Sequence, residues 1–273
     1  QFCVSTPEGY RFLYNYFIKD LLLAENEHLI SKRRLIKAST YDNPFLPDDY
    51  ISGILERYPA KQAEAYLNGE FVNFNTGTVY YSYDRQVNKT DFLLSTYADL
   101  MPIHIGLDFN VNHMAACVGV IDQKKAFIID EIVGEKNTES MIKEIKKRYG
   151  NGRVINVYPD SSGKNNSANA DRSSIVLLEE AGFKVHYKSK NPAVVDRVNS
   201  VNAKIKNANG EIGVFINTNK CPHLVTGLEQ QGYDKDGAPD KSSGIDHVLD
   251  AMGYFIYFHW PLVRKPSVTV RMR

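Results

Sequence analysis

Three acidic residues, far apart in the chain, carry the first chemical signal. Asp108 ends the apolar run Ile103-His104-Ile105-Gly106-Leu107, Asp160 ends Val154-Ile155-Asn156-Val157-Tyr158-Pro159, and Asp250 follows Ile245-Asp246-His247-Val248-Leu249. A mid-strand Asp, a strand-end Asp and a helical Asp form a set able to hold two divalent cations. Such sites break phosphodiester backbones by attack of metal-activated water. The third segment adds detail. Asp246 and Asp250 are four positions apart and His247 and Asp250 three, so on a helix all three project to one side. Ile245, Val248, Leu249, Met252, Phe255 and Ile256 make its buried stripe, and Gly253 gives clearance below the polar group. Asp246 reads first as a helix-start residue favoured by the helix dipole. His247 reads either as a ligand or orienter of water, or as a capping or core residue.

The elements around these residues imply how they meet. Residues 103–111, 114–121 and 125–133 read as three strands whose links are too short for crossover helices, hence an antiparallel meander. An amphipathic helix over 137–149, a strand over 153–158, a helix over 172–181, a strand over 183–187 and a helix over 192–207 follow. Asn209-Gly210 suits a small hairpin ending in Val214-Phe215-Ile216, and the last long helix is expected from about Ser243 to Phe258. This order is that of an α/β ribonuclease H-like fold, a mixed sheet flanked by helices. Its first and fourth strands lie side by side, which would bring Asp160 next to Asp108. Within 103–111 the apolar side chains alternate with His104, Gly106, Asp108 and Asn110, and Gly106 would leave room for a ligand against the backbone.

Upstream, residues 1 to about 40 read as strand, helix, strand, with Ser5 or Thr6 and Pro7 starting the helix and Lys32–Ala38 forming the second strand. Helices are expected after Asp48 and over 60–68, the latter stopped by Gly69. Residues 71–100 are expected as a linker with one strand at Thr78–Tyr81. The division expected is therefore 1–70, 71–100, a ribonuclease H-like unit over 101–260, and a basic tail over 261–273.

Composition narrows the classes. The 273 residues carry 33 Lys and Arg against 32 Asp and Glu, a net charge of +1. Binding to nucleic acid would then need locally gathered basic residues. Three widely spaced cysteines, Cys3, Cys117 and Cys221, argue against a disulfide framework and for a reducing compartment. Cys221-Pro222-His223 lacks a second ligand pair nearby, so a structural role is expected rather than zinc. No apolar run is long enough to span a membrane. Ser162-Gly163-Lys164 is no phosphate loop, since Tyr158 stands where that pattern needs Gly.

Gly106-Leu107-Asp108-Phe109, Tyr158-Pro159-Asp160-Ser161 and Asp246-His247-Val248-Leu249-Asp250-Ala251-Met252-Gly253-Tyr254 together resemble the large terminase subunit, the motor-nuclease that packages DNA in tailed bacteriophages. Ser5-Thr6-Pro7-Glu8-Gly9, Asp42-Asn43-Pro44-Phe45-Leu46-Pro47 and Leu67-Asn68-Gly69-Glu70-Phe71 resemble the family's stretches between its ATPase and nuclease. The chain is expected to be the carboxyl-terminal part of such a protein, with residues 1–70 a remnant of the ATPase region. Walker A and B motifs are absent from it, so ATP would be used only in a preceding region.

The resemblance implies a metal-dependent endonuclease cutting concatemeric double-stranded DNA with two Mg²⁺ or Mn²⁺ ions, bridged by Asp108 and held further by Asp160 and Asp250, with His247 beside the third acid and Asp246 supporting. Asn110, Asn112, His113 and Met114 occupy the region where some relatives carry a fourth acid. It also implies work in the host cytoplasm at the procapsid portal, with a small terminase subunit, the portal protein and further copies of the chain as partners. Candidate phosphate contacts are Lys164, Arg172, Lys184, Lys188, Lys190, Arg197, Lys204 and Lys206. The loop 231–244 would cover the site or order on DNA. Two other readings fit the same acids: a junction resolvase or transposase-like nuclease, and a non-catalytic DNA-gripping assembly module.

Overall fold

The short links after residues 108 and 122 leave the chain no choice but to double back, and it does. In a computed structural model, described for residues 12–22, 24–71, 77–91, 101–110, 112–161 and 173–262, β1 (Ile103–Asp108), β2 (Met114–Asp122) and β3 (Lys125–Glu135) form the antiparallel meander. β4 (Ile155–Pro159) then pairs parallel with β1, β5 (Lys184–Val185) parallel with β4, and β6 (Val214–Ile216) parallel with β3. The sheet order is β5-β4-β1-β2-β3-β6, that of the expected ribonuclease H-like fold.

Helices cover both faces. α1 is a single turn (Phe12–Tyr14) continued by a π-turn, and α2 (Tyr50–Arg57) and α3 (Ala60–Asn68) precede the sheet. α3 ends at Gly69, whose φ of 65° suits a glycine. α4 (Thr138–Tyr149) and α5 (Ser174–Glu180) lie on the face of Ile103, Ile105 and Leu107, where Met141, Ile145 and Leu178 complete one core. α6 (Val194–Ile205), α7 (Pro222–Gln230) and α8 (Asp246–His259) build the other core with Phe255, Val201, Leu224 and Ile216. Both cores bury near-continuous apolar strands, as a sheet covered on two sides requires.

Several expectations are corrected. Lys32–Ala38 and Thr78–Tyr81 are not strands. Val79 and Tyr80 are nonetheless buried, and residues 77–91 dock on the sheet unit: the Val79 amide donates to the Gln231 carbonyl and the Thr90 amide to the Ile216 carbonyl. β6 is not half of a hairpin, because a helix, not a strand, precedes the Asn209-Gly210 turn. α7 is an element beyond those expected. Cys221 is buried at its start, and the His223 imidazole binds Glu131 rather than any second Cys/His pair. Cys117 and Cys221 are both buried and free. Among the described residues, no helix is long and apolar enough to cross a membrane.

Candidate active site

The parallel register sets the first two acids side by side. Leu107 pairs with Pro159, and one step on, the Asp160 amide donates to the Leu107 carbonyl at 3.1 Å. Asp108 and Asp160 are 5% and 8% exposed. α8 supplies the third acid by lying directly across β1 and β2. Gly106 makes this crossing possible, since a Cβ there would stand 1.9 Å from the Ala251 carbonyl oxygen. The space expected for a ligand at Gly106 is therefore filled by the helix backbone.

The electrostatics agree with the convergence. Burial raises the Asp108 pKa to about 6, the carboxylates of Asp250 and Asp160 add to the rise, and His247 opposes it. His247 Nδ1 lies 3.1 Å from Asp108 Oδ2, and the Asn110 amide nitrogen lies 2.7 Å from that Nδ1 and donates to Asp108 Oδ2 at 3.2 Å. The imidazole is thus held between the strand and the helix. It faces a groove of about 450 Å³ lined in part by His113, His223, Ser243 and Gly244.

Asp250 departs from the expected picture. Its carboxylate is turned toward two cations: Arg197 binds Oδ1, and Lys241 binds Oδ2 at 2.8 Å. Arg197, expected among DNA-facing residues, is 4% exposed inside the fold, with its guanidinium over the Tyr254 ring at 4.4 Å. A Cβ on Gly253 would come within 2.7 Å of the Arg197 side chain, so the clearance at that glycine serves the arginine. Lys241 also binds Asp246 Oδ2 at 3.0 Å. Asp246 opens α8 as expected, yet it is only 2% exposed, and its Oδ1 has no hydrogen-bond partner. Burial pulls the Lys241 pKa down, yet the two carboxylates outweigh it and leave it raised.

Because two cations hold Asp250, the acids do not stand as a ready ligand cage. Among the described residues, no group of three or more His, Cys, Asp or Glu side chains is placed to hold a metal ion. The donor set nevertheless suits a hard divalent cation, being rich in carboxylate oxygen. Added positive charge would relieve both the orphaned Asp246 oxygen and the disfavoured charge on Asp108.

Of the other basic candidates, Lys184, Lys188, Lys190 and Lys206 are exposed. Lys188 lies over the Tyr257 ring at 4.9 Å, at the end of α8. Lys204 is half-buried over Trp260, and burial lowers its pKa, a poor setting for a phosphate contact. Lys164 and Arg172, the basic tail, Cys3 and the Thr6 segment lie outside the described residues. The residues missed from sequence are Lys241, Asn110 and Arg197 as partners of the acids. Only Gly253 hints at the last.

Comparison with known proteins identifies the family of the fold. The model of the family described as "Terminase RNaseH-like domain" matches residues 105–257, more than half of the chain. The structure of the large terminase from a thermophilic bacteriophage has the same fold, at 17% identity and a TM-score of 0.66 over 92% of this chain and 61% of that one. So does the nuclease domain of the P22 large terminase, at 16% identity and a TM-score of 0.51 over 69% of this chain and 96% of that one. The chain thus spans about three fifths of the thermophilic phage protein. No curated protein matches it. With the matched span running from β1 into α8 and enclosing all three acids, the chain belongs to the terminase family of ribonuclease H-like domains.

Proposed function

We propose that this chain is the nuclease part of a viral DNA-packaging motor and cuts concatemeric double-stranded DNA by metal-dependent hydrolysis. One observation carries the reading: β4 pairs parallel with β1 so that the Asp160 amide donates to the Leu107 carbonyl beside Asp108, and α8, which bears Asp250, crosses β1 against Gly106. Structural acids rarely gather this way without a cation to quench them. Asp108, Asp160 and Asp250 would hold Mg²⁺ or Mn²⁺, which when bound supplies an activated water and neutralises the phosphate. His247, fixed by Asn110 and Asp108, orients what enters from the adjoining groove. Lys188 and Lys190 offer phosphate contacts at the α8 edge. We assign residues 101–260 as the nuclease unit, 1–70 as the end of an ATPase region, 71–100 as the connection between them and 261–273 as a basic tail. Double-stranded DNA, a small terminase subunit, the portal protein and further copies of the chain are the proposed partners, in the host-cell cytoplasm and at the procapsid.

The test is plasmid cleavage with Mg²⁺ or Mn²⁺. Asp108→Ala should lower the rate by at least about 10³-fold, the scale on which loss of an essential group acts, while circular dichroism shows the fold intact. Undiminished cleavage by the folded variant would discard the assignment. The ion pairs on Asp250 favour one second reading, a gripping module without metal. Under it, calorimetry shows no Mn²⁺ heat that depends on Asp160.

A further inference from the structure

The loop from Gln231 to Ile245 is built to present one side chain. The Asp234 amide donates to the Ala238 carbonyl, and Asp234 Oδ1 accepts from the Asp236 and Ala238 amides. The Gln231 side chain donates to the Asp240 carbonyl, and the Asp240 amide donates to the Gly232 carbonyl. Asp240 then accepts from the Ser242 amide and hydroxyl, and a turn closes from Lys241 to Gly244, whose φ is 68°. Lys241 thus stands at the head of a tied turn. Its ammonium sits 3.0 Å from Asp246 Oδ2 and 2.8 Å from Asp250 Oδ2, while the side chain as a whole is 53% exposed. Beneath it, Asp246 keeps one carboxylate oxygen buried and without a donor. A monovalent ammonium therefore bridges two carboxylates and leaves one oxygen of Asp246 unsatisfied, from a position with a way out to solvent.

We propose that Lys241 is a built-in counter-cation occupying a divalent-ion seat between Asp246 and Asp250, and that it must leave for the site to load. This rests on the nuclease reading above. Arg197, buried on the other side of Asp250, cannot leave and keeps the carboxylate aimed. Lys241, half in solvent on a loop, can. A divalent ion brings twice the charge and more coordination positions than an ammonium offers, so the exchange favours the metal once it is present. The loop then becomes a gate on cleavage: metal seated at Asp246 and Asp250 frees the Lys241 turn, and an empty seat draws it back.

Two measurements test this without cleavage. Manganese binding to the 273-residue chain is followed by calorimetry for the wild type, Lys241→Met and Lys241→Gln. Removal of a competing charge should tighten binding by about tenfold or more. Amine acetylation read by mass spectrometry compares Lys241 with Lys235 of the same loop in the wild type. Lys241 should react slowly without metal and several-fold faster with saturating Mn²⁺, while Lys235 stays constant. Unchanged affinity in both variants and unchanged Lys241 reactivity, with Mn²⁺ binding that still depends on Asp160, would overturn the counter-cation and leave the nuclease reading standing. No Mn²⁺ binding in any of the three proteins would overturn both. The acetylation arm uses unaltered protein, so a misfolded variant cannot hide the answer.

Discussion

Glu131 and Asp246 are both buried acids set against the first turn of a helix, and the fold treats them in opposite ways. Glu131 of β3 accepts from the His223 and Leu224 amides at the start of α7, each at 2.8 Å, and from the His223 imidazole at 2.6 Å. Both of its oxygens are used, and by fixed donors. Asp246 opens α8 with one oxygen on a displaceable lysine and the other on nothing. A carboxylate sealed by amides and imidazole holds two elements together. One left half-satisfied beside a second acid, Asp250, costs stability, and such a cost marks a place kept for chemistry.

The largest stability effect that separates the two acids should come from Glu131→Ala. It strands two amides at the start of α7 and takes the partner from the exposed His223 imidazole, and should cost about 3 kcal/mol, read as a lower midpoint in urea unfolding. The contrary change is Asp246→Asn at about pH 7.5 without metal. It removes an underpaired buried charge along with the ion pair to a half-exposed lysine, which is worth about 0–1 kcal/mol, so stability should stay level or rise by about 1 kcal/mol. A loss at Asp246 as large as that at Glu131 would erase the distinction and make both acids structural.

The same contrast explains what the sequence could reveal. The meander, the parallel placing of β4 beside β1 and the approach of Asp160 to Asp108 follow from link lengths and strand patterns, which are local. The family's motifs, spaced along 105–257, name the fold without any coordinates. Arg197 reads as a surface charge because nothing near it in sequence says that Gly253, 56 positions on, opens a slot for it. Lys241 is only five residues before Asp246, yet its aim depends on how Asp240 and Gly244 fold the turn. α7 has a readable signal, Pro222 at its first turn followed by Leu224, Val225 and Leu228. The metal question raised by Cys221 and His223 draws the eye from it. Lys32–Ala38 shows the converse, a strand-like pattern that pairs with no strand among the described residues.

A third region lacks charge altogether and extends the comparison to pH. His104 of β1 and His259 of α8 belong to an aromatic stack with Tyr158, Phe255 and Phe258, and the His104 Nδ1 lies 2.7 Å from the Tyr158 hydroxyl. Burial lowers the pKa of each to about 4, aided for His104 by His259 and His186 and for His259 by His186. Both are neutral in the folded protein, whereas the unfolded chain takes up a proton at each near about pH 6.5. Between these values the unfolded state binds more protons, so this pair makes stability fall as the pH drops from about 6.5 toward 4. Asp108 works the other way. With its folded pKa raised to about 6, its charge destabilises the fold at neutral pH and that penalty is relieved on acidification. The two trends are separable by His259→Phe, which keeps the ring and removes one titration from the stack. Melting temperatures from about pH 8 to about pH 4 should fall less steeply for the variant than for the wild type, with the curves diverging below about pH 6.5. Parallel curves would mean that the proton is as welcome in this stack as in water, and that the contrast between sealed and waiting groups does not extend to the histidines.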